Sequence, residues 1–422
     1  MKKDRRSAAI LAFCLAICLF LQGCAGLLEG SGREEPAEAA RTVEEGSLGE
    51  QSPYRSVKIR YGYESLSREA FRDCYRKIGA AAYSISGEKA ENGLYPLVEI
   101  FIGEESFSED ELRGVIAAFR DDFPEVFWLS PQFSYLSGSG GTRLQLYSLY
   151  SPEECGRMSE ALSRAVGEIL SGMKQGWTPF ERELWLHDAL LERCGYDREA
   201  AAQETIGGSA FTAYGALVEG KAVCQGYTLA MGLLLKLSGV ESQVVYGRGR
   251  GEAHTWNLVK LDTGWYHLDV TWNDGEEPRY DYFNVDDEAI TFDHEYSPQV
   301  RESLQLGLPR EYPVCASLEE SYYILYGIPV SSLGEAGGLE VIDGIAAAAE
   351  EKKRSVALVI GNNLDYDITK RMLFTQSPYK AFYWLSKANG KLGEEAQVET
   401  GQVHYREVLP LRVIVLELEY KD

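Results

Sequence analysis

The period of the apolar positions changes several times along the chain, which predicts a mixture of helices and strands. Between residues 57 and 150, the pattern predicts helices at 67–82 and 108–123, a strand at 97–102, and a hairpin of 133–136 with 142–150. Ser108 and Glu111 have the spacing of a capping box, which sets the start of the second helix. We therefore predict a small α/β accessory domain at 57–150.

The central part of the chain carries longer helical patterns, which give way to strands. The pattern predicts helices at 151–173, 178–194 and 211–219, a further helix from Cys224, and strands at 254–261 and 265–270. Thr178 fits an N-cap, Pro179 the first helical position, and Glu181 completes a capping box. This segment, 151–312, is predicted to form an α+β domain.

The C-terminal part alternates between strand and helix patterns again. It predicts strands at 322–326 and 356–360, helices at 339–352 and 368–374, and two final strands that end in the alternating run 411–420. We predict a separate α/β domain at 313–422. Its single histidine, His404, belongs to no catalytic constellation, so binding of a ligand and binding of the central domain are both open.

The N-terminus has the features of an export signal. Basic residues precede an apolar run from Ala8 to Leu21, which is too short for a membrane span. The junction Leu21-Gln22-Gly23-Cys24 resembles a bacterial lipoprotein signal, which implies that 1–23 is a signal peptide and that Cys24 is lipidated. The expected location is the extracytoplasmic face of the cell membrane; an uncleaved signal anchor is the alternative.

The segment 24–56 is predicted to be a disordered acidic tether. It is rich in glutamate and glycine and contains few large apolar residues, so it cannot bury enough apolar surface to fold. A flexible tether of this length reaches about 30 Å. We expect it to act as a spacer between the membrane and the folded domains.

Charge and cysteine usage limit the partners and the kinds of site that the sequence allows. The formal net charge of −23 argues against a nucleic-acid partner and against electrostatic adhesion to anionic lipid. Besides Cys24 and Cys224, the exported chain would keep four dispersed cysteines: Cys74, Cys155, Cys194 and Cys315. They lack the paired spacing of a zinc site or a disulfide framework, so we expect most of them to be buried thiols. No metal and no cofactor is predicted.

Three residues have settings that suit thiol acyl transfer. Cys224 stands where an apolar helix begins, His254 opens one predicted strand and Asp269 lies on the next. A helix N-terminus and a nearby imidazolium both lower the pKa of a thiol, and the thiolate is the nucleophile. The imidazole takes a proton and later returns it to a leaving amine, while a carboxylate on its other nitrogen fixes the tautomer.

The hairpin that follows His254 supplies a geometric condition. A three-residue loop at 262–264 would pair Leu261 with Trp265 and turn Asp269 away from the face of His254, because faces alternate along a strand. A four-residue loop pairs Lys260 with Trp265 and brings both side chains to one face. A catalytic triad therefore requires the second register or a bulge.

These motifs together resemble the transglutaminase-like superfamily of papain-related thiol enzymes. The matching residues are the Val-Cys-x-Gly-Tyr helix start at 223–227, His-x-Trp at 254–256 and Gly-Trp-x-x-x-Asp at 264–269. The resemblance implies an α+β core in which a helix-borne cysteine packs on an antiparallel sheet that carries the histidine and the aspartate. It also implies a catalytic triad of Cys224, His254 and Asp269. The backbone N–H of Cys224, assisted by a side chain such as that of Tyr214, would hold the oxyanion.

The resemblance leaves two function classes open. The first is a membrane-anchored thiol enzyme that acts on carboxamide or peptide bonds of proteins or peptides, including cell-wall-associated ones, by crosslinking, deamidation or proteolysis. The second is a catalytically silent binding module at the cell surface. Two other features are interpreted as structural: His187 as a packing residue, and the glycines 247, 249 and 251 as a mobile loop before His254.

Overall fold

The structure is a computed structural model that describes residues 60–202, 207–276, 279–304 and 307–421. Helices and strands both contribute extensively, which confirms the predicted α+β class. The predicted signal peptide, Cys24 and the whole predicted tether lie outside the described residues, as does the rest of the chain before residue 60. Among the helices of the described part, none combines the length and apolar character needed to cross a membrane.

The helices and strands are numbered in chain order. The helices are α1 (Tyr61–Glu64), α2 (Glu69–Ala81), α3 (Glu109–Asp122), α4 (Pro152–Ser171), α5 (Pro179–Arg193), α6 (Arg198–Ala201), α7 (Cys224–Ser238), α8 (Val270–Asn273), α9 (Asp287–Ile290), α10 (Pro298–Ser303), α11 (Tyr322–Tyr326), α12 (Glu335–Glu350), α13 (Tyr366–Phe374) and α14 (Lys380–Asn389). The strands are β1 (Tyr95–Pro96), β2 (Ile100–Phe101), β3 (Leu129–Gly138), β4 (Gly141–Ser148), β5 (Gly195–Tyr196), β6 (Lys221–Ala222), β7 (Glu241–Gly249), β8 (Glu252–Leu261), β9 (Gly264–Leu268), β10 (Phe283–Val285), β11 (His294–Glu295), β12 (Ile328–Val330), β13 (Ser355–Ile360), β14 (Tyr405–Val408) and β15 (Val413–Glu417).

The described residues separate into two compact units. The first contains 60–279 and 293–315, and the second contains 280–292 and 316–421. The predicted accessory domain and most of the predicted central domain thus share one unit, whereas 280–292 of the predicted central domain belong to the other. A domain boundary near residue 150 stays a prediction.

The first unit begins with helices packed beside a small antiparallel sheet. β4 pairs with β1, β2 and β3, and the β3–β4 hairpin closes with Gly138 opposite Gly141. The turn is therefore tighter than the predicted one. The capping box of Ser108 and Glu111 is present at the start of α3, as predicted. The predicted strand at 97–102 is reduced to the two residues of β2.

The capping box predicted at Thr178 is present at the start of α5, and α4 also begins with a capping box, at Ser151. The predicted helix at 211–219 is wrong as a single element. The chain instead forms a 3-10 turn at Ser209–Phe211 and a π-helix at Gly215–Glu219. The two pieces fold tightly on each other, since a Cβ at Gly215 would lie 2.2 Å from the Ser209 carbonyl oxygen.

The sheet that carries the candidate site lies in the same unit. β9, β8, β7 and β11 are adjacent in that order and antiparallel. Helix α7 packs on β7 and β8, and most of its side chains are buried. Because α7 is apolar on nearly all sides, it forms the centre of this core.

The glycines before His254 do not form a mobile loop, and that prediction was wrong. Gly247 and Gly249 belong to β7, and Gly251 follows in the tight turn to β8. A Cβ at Gly247 would lie 2.2 Å from the Glu295 carbonyl oxygen, and one at Gly249 would lie 2.6 Å from the Trp272 ring. Glycine is needed at both positions because neighbouring groups approach the strand this closely.

The second unit contains a four-stranded sheet in the order β12-β13-β15-β14, with only β12 and β13 parallel. Helices α12 and α14 pack together, and Val341, Ile345 and Trp384 contribute to the buried core. The predicted strand at 322–326 is wrong, because these residues form α11. Aromatic residues favour strands only weakly, and tertiary packing decides the outcome.

Candidate active site

Cys224 is the first residue of α7, as predicted. The preceding Val223 is extended (φ −94°, ψ 176°) and provides no capping side chain. The first N–H groups of a helix have no partner within the helix, so this end favours a negative charge. Cys224 is also nearly covered, with 4% of its surface exposed.

The sequence around Cys224 explains why the helix begins there. The Val223 N–H donates to the Ala210 carbonyl at 3.0 Å, which fixes the chain just before the helix. A Cβ at Gly226 would lie 2.4 Å from the same Ala210 oxygen. The glycine of the Val-Cys-x-Gly-Tyr motif is therefore required by the close packing of the helix start on residues 210–212.

Thr228 ties this first helical turn to the strand that carries His254. Its hydroxyl lies 2.9 Å from the Cys224 carbonyl oxygen and 2.9 Å from the Thr255 carbonyl oxygen. The Asn257 side chain donates to the Thr228 carbonyl at 3.2 Å. These bonds hold Cys224 in a fixed position relative to the residue after His254.

His254 and Asp269 are in direct contact. His254 Nε2 lies 2.7 Å from Asp269 Oδ2, and both side chains are buried. The hairpin has the register that a triad requires, with Lys260 opposite Trp265. Leu261 also pairs with Gly264, so the loop itself is shorter than the predicted four residues. Since Nε2 faces the carboxylate, Nδ1 is the nitrogen left to exchange a proton with a thiol.

Asp269 lies just beyond the strand predicted to contain it. β9 ends at Leu268, and Asp269 is the N-cap of α8, where its Oδ1 accepts from the Trp272 N–H at 3.2 Å. Burial by itself would raise the pKa of Asp269, but the hydrogen bonds and charges of His254 and His294 hold that pKa well below its usual value. The carboxylate is thus ionised.

His294 is a site residue that the sequence did not reveal. Its Nε2 lies 3.2 Å from Asp269 Oδ2, and its Nδ1 lies 2.8 Å from Asp293 Oδ1. It sits on the two-residue strand β11, which is too short for a periodic signal. The adjacent pair Asp293-His294 is the only hint in the sequence.

The ligand-type atoms of His254, Asp269 and His294 come within 4.8 Å of one another. Their contact distances are those of hydrogen bonds in which each imidazole donates an N–H to the carboxylate. We therefore assign the cluster to proton chemistry.

Aromatic rings enclose the histidine. The Trp256 ring stacks near His254 at 5.9 Å between centroids, and the Trp272 ring lies at 5.3 Å. Such rings exclude water from the hydrogen bond to Asp269 and strengthen it, because the local dielectric is low.

Tyr214, the predicted oxyanion residue, stacks on Phe127 with a centroid distance of 4.9 Å. Burial and the charge of Glu219 raise the pKa of Tyr214, so its hydroxyl keeps the proton that an oxyanion donor needs. Its role in an oxyanion site stays a prediction.

His187 is buried in α5, where its two ring nitrogens face Asp188 at 2.9 Å and the Asn273 amide at 3.1 Å. This links α5 to the helix that Asp269 caps. The structural interpretation of His187 agrees with these contacts.

The segment that carries the three predicted triad residues is similar to known proteins. The family model described as the transglutaminase-like superfamily matches residues 168–270, a segment that contains Cys224, His254 and Asp269. This segment is a transglutaminase-like domain. No curated protein matches the chain.

Two solved structures illustrate how far the similarity of this transglutaminase-like domain extends. The crystal structure of a TGase shares 14% identity over 36% of this chain and 47% of its own length, with a TM-score of 0.25. The periplasmic domain of TgpA from Pseudomonas aeruginosa shares 16% identity over 32% of this chain and 56% of its own, with a TM-score of 0.20. The chain thus spans about half of the length of each. The family assignment rests on the family model.

Replacing Thr228 with valine tests whether the helix start must be tied to the sheet. Valine keeps the shape but removes the hydroxyl, so we expect a loss of about 1 kcal/mol in the free energy of unfolding. We also expect slower alkylation of Cys224 by iodoacetamide, because the thiol is no longer fixed relative to His254. Thr228→Ser should restore both properties. Wild-type alkylation in the valine variant would show that the tie is dispensable.

Proposed function

We propose that the protein is a thiol acyl-transfer enzyme in which Cys224 is the nucleophile, His254 the general base and acid, and Asp269 the orienting carboxylate. The buried 2.7 Å contact between His254 and Asp269 carries this proposal. His254 lies on a strand of the central sheet. Thr228, in the first turn of the helix that begins with Cys224, is hydrogen-bonded to the same strand. A thiol, an imidazole and a carboxylate in this order support acyl transfer through a thioester better than any other chemistry.

The first half of the reaction forms an acyl-enzyme. Nδ1 of His254 takes the thiol proton, and the Cys224 sulfur attacks the carbonyl carbon of a carboxamide. The electron pair of the C=O bond moves to oxygen, where N–H groups at the start of α7 stabilise the negative charge. When the C=O bond re-forms, the C–N bond breaks and His254 gives its proton to the leaving amine.

The second half releases the acyl group. An acceptor, either an amine or water, loses a proton to His254 and attacks the thioester carbon. The C–S bond then breaks and the sulfur leaves as the thiolate, which restores the enzyme. A lysine amine as acceptor gives a crosslink, and water gives deamidation or proteolysis. We propose protein or peptide substrates, including cell-wall-associated ones. Because the chain is acidic, neutral or basic substrates are favoured over acidic ones.

The test uses a glutamine-containing peptide with and without a fluorescent alkylamine. Ammonia release, amine incorporation and peptide cleavage are measured with the wild type, Cys224→Ala and the matched control Cys155→Ala. We expect at least one product with the wild type and the control and none with Cys224→Ala. The same product level with all three proteins would overturn the proposal.

A catalytically silent binding module is the second candidate, and one observation favours it. Cys224 is only 4% exposed, and the Trp272 ring lies beside His254, so the reacting atoms are nearly covered. A substrate would have to displace part of this cover. If no carboxamide substrate and no alkylating reagent reaches Cys224, the binding module becomes the better interpretation.

We also propose that the protein is anchored by a lipid on Cys24 at the extracytoplasmic face of the membrane. Support comes from the basic N-terminus, the short apolar run and the Gly23-Cys24 junction. Cys24→Ser should remain unprocessed or leave the membrane fraction, whereas the control Cys18→Ser within the apolar run should be processed normally. Normal membrane retention of Cys24→Ser, at the same size as the wild-type protein, would instead indicate an uncleaved signal anchor.

A further inference from the structure

Asp269 receives more hydrogen bonds than a triad needs. His254 and His294 both contact Oδ2, at 2.7 Å and 3.2 Å, and the Trp272 N–H donates to Oδ1 at 3.2 Å. When one carboxylate is shared by two imidazoles, it stabilises a positive charge on either ring less than it would if that ring were its only partner. The hydrogen bond between Asp269 and His254 therefore depends on the charge state of His294.

The contacts of His294 fix that state. Each of its ring nitrogens faces a carboxylate oxygen, Nε2 that of Asp269 and Nδ1 that of Asp293. An ionised carboxylate only accepts hydrogen bonds, so both nitrogens must carry a hydrogen and the ring is an imidazolium. Burial lowers the pKa of His294, but the hydrogen bonds and charges of Asp269 and Asp293 outweigh this, and the pKa is raised.

His294 is one member of a row of alternating charges that leads from the surface to the site. The exposed Arg250 guanidinium lies 3.2 Å from Asp293 Oδ2 and 4.7 Å from the Trp272 ring centroid. The row then continues through His294 and Asp269 to His254. The His254 and His294 ring centroids are 5.5 Å apart, and the Trp272 and Trp256 rings pack on His294 at 4.3 Å and 4.9 Å.

We propose that His294 is a positioning residue for the triad, a buried cation that fixes Asp269 and acts on His254 through it. The inference rests on the proposed function. The charge of His294 opposes protonation of His254, so the His254 imidazolium is a stronger acid toward a leaving amine. His294 lies outside the segment 168–270 that the family model matches.

Two variants separate charge from hydrogen bonding. His294→Gln keeps an N–H for Asp269 but removes the positive charge, and His294→Phe removes both. His404→Gln is the matched control, since His404 is half-exposed and belongs to the other unit. Circular dichroism verifies that each variant is folded.

The readout is the rate of Cys224 alkylation by iodoacetamide as a function of pH, resolved by peptide mass spectrometry. The low-pH limb, a first rise in rate, reports formation of the thiolate. The high-pH limb, a second rise in which the ion-paired thiolate becomes a free thiolate, reports loss of the His254 proton. Without the positive charge, His254 should hold its proton more strongly, and the high-pH limb of His294→Gln should move up by about one pH unit. An unchanged limb in folded His294→Gln would overturn the inference.

Failure of the inference and failure of the proposed function give different results. A wild-type profile without a low-pH limb contradicts the proposed function, whatever the variants do. A wild-type profile with both limbs that His294→Gln leaves unshifted contradicts the role of His294 alone.

Nitrogen-15 NMR of the imidazoles tests the same inference without a variant that must fold. The chain contains only five histidines, so their signals can be distinguished. We expect both nitrogens of His294 to carry hydrogen at pH 7.5, above the ordinary histidine pKa of about 6.5. A neutral His294 at that pH would contradict the proposal.

Discussion

Replacement of Cys224 by alanine should reduce acyl transfer to the uncatalysed background, a loss of about 10³-fold or more. The thiol supplies the covalent intermediate, and neither His254 nor Asp269 can form one in its place. The side chain is small and buried at a helix start, so alanine fits the same space and the fold should persist. The variant is measured with the peptide and alkylamine assay.

The other cysteines provide controls for this experiment. Burial is the main cause that raises the pKa of Cys155 to about 11 and that of Cys194 to about 12, and burial also raises the pKa of Cys74. Thiols of this kind are almost entirely protonated at neutral pH and are poor nucleophiles. Cys155→Ala and Cys194→Ala should therefore keep their activity. Loss of activity in either, with activity retained in Cys224→Ala, would place the nucleophile elsewhere.

Replacement of Asp269 by asparagine should have the second-largest effect, because it acts on catalysis and stability together. The amide N–H₂ group of asparagine would face the ring N–H groups of His254 and His294, which also donate hydrogen bonds. Asparagine therefore no longer holds His254 in the required tautomer, and turnover should fall by about 10³-fold. It also leaves the His294 imidazolium without one of its two carboxylates. We expect a loss of about 2–4 kcal/mol in the free energy of unfolding.

The effect of Asp269→Asn on the free energy of unfolding should depend on pH. Because the folded-state pKa of Asp269 is lowered, its ionisation stabilises the fold above the unfolded-state pKa of about 3.9. That contribution disappears as the pH falls through the lowered folded-state pKa. The stability difference between wild type and Asp269→Asn should thus be constant between about pH 4 and pH 6, where His294 is protonated in the folded and the unfolded state, and shrink in acid. Asp188→Asn, which removes an exposed carboxylate beside His187, should show little effect.

The sequence predicted the parts of the site that depend on local pattern. The change from turn to apolar helix placed the start of α7 at Cys224, and the alternation of faces required Lys260 to pair with Trp265. Both depend on rules that act over a few residues, the orphan N–H groups of a helix end and the two-residue period of a strand.

Tertiary packing decided the parts that the sequence did not predict. His294 reaches Asp269 across 25 residues of chain, from a strand of only two residues. Gly247 and Gly249 were interpreted as loop residues because glycine usually breaks a strand, yet here they admit the Glu295 backbone and the Trp272 ring. Contacts of this kind leave no periodic trace in a sequence.

The activation of Cys224 by His254 is tested most directly by alkylation at pH 6. An ordinary thiol with a pKa of about 8.5 is roughly 0.3% ionised at that pH, so a Cys224 thiolate paired with an imidazolium should react about 100-fold faster than an unfolded peptide of the same sequence. Peptide mass spectrometry separates this rate from those of Cys74, Cys155, Cys194 and Cys315. A Cys224 rate no greater than that of the unfolded peptide would contradict an activated nucleophile and leave the binding module in its place.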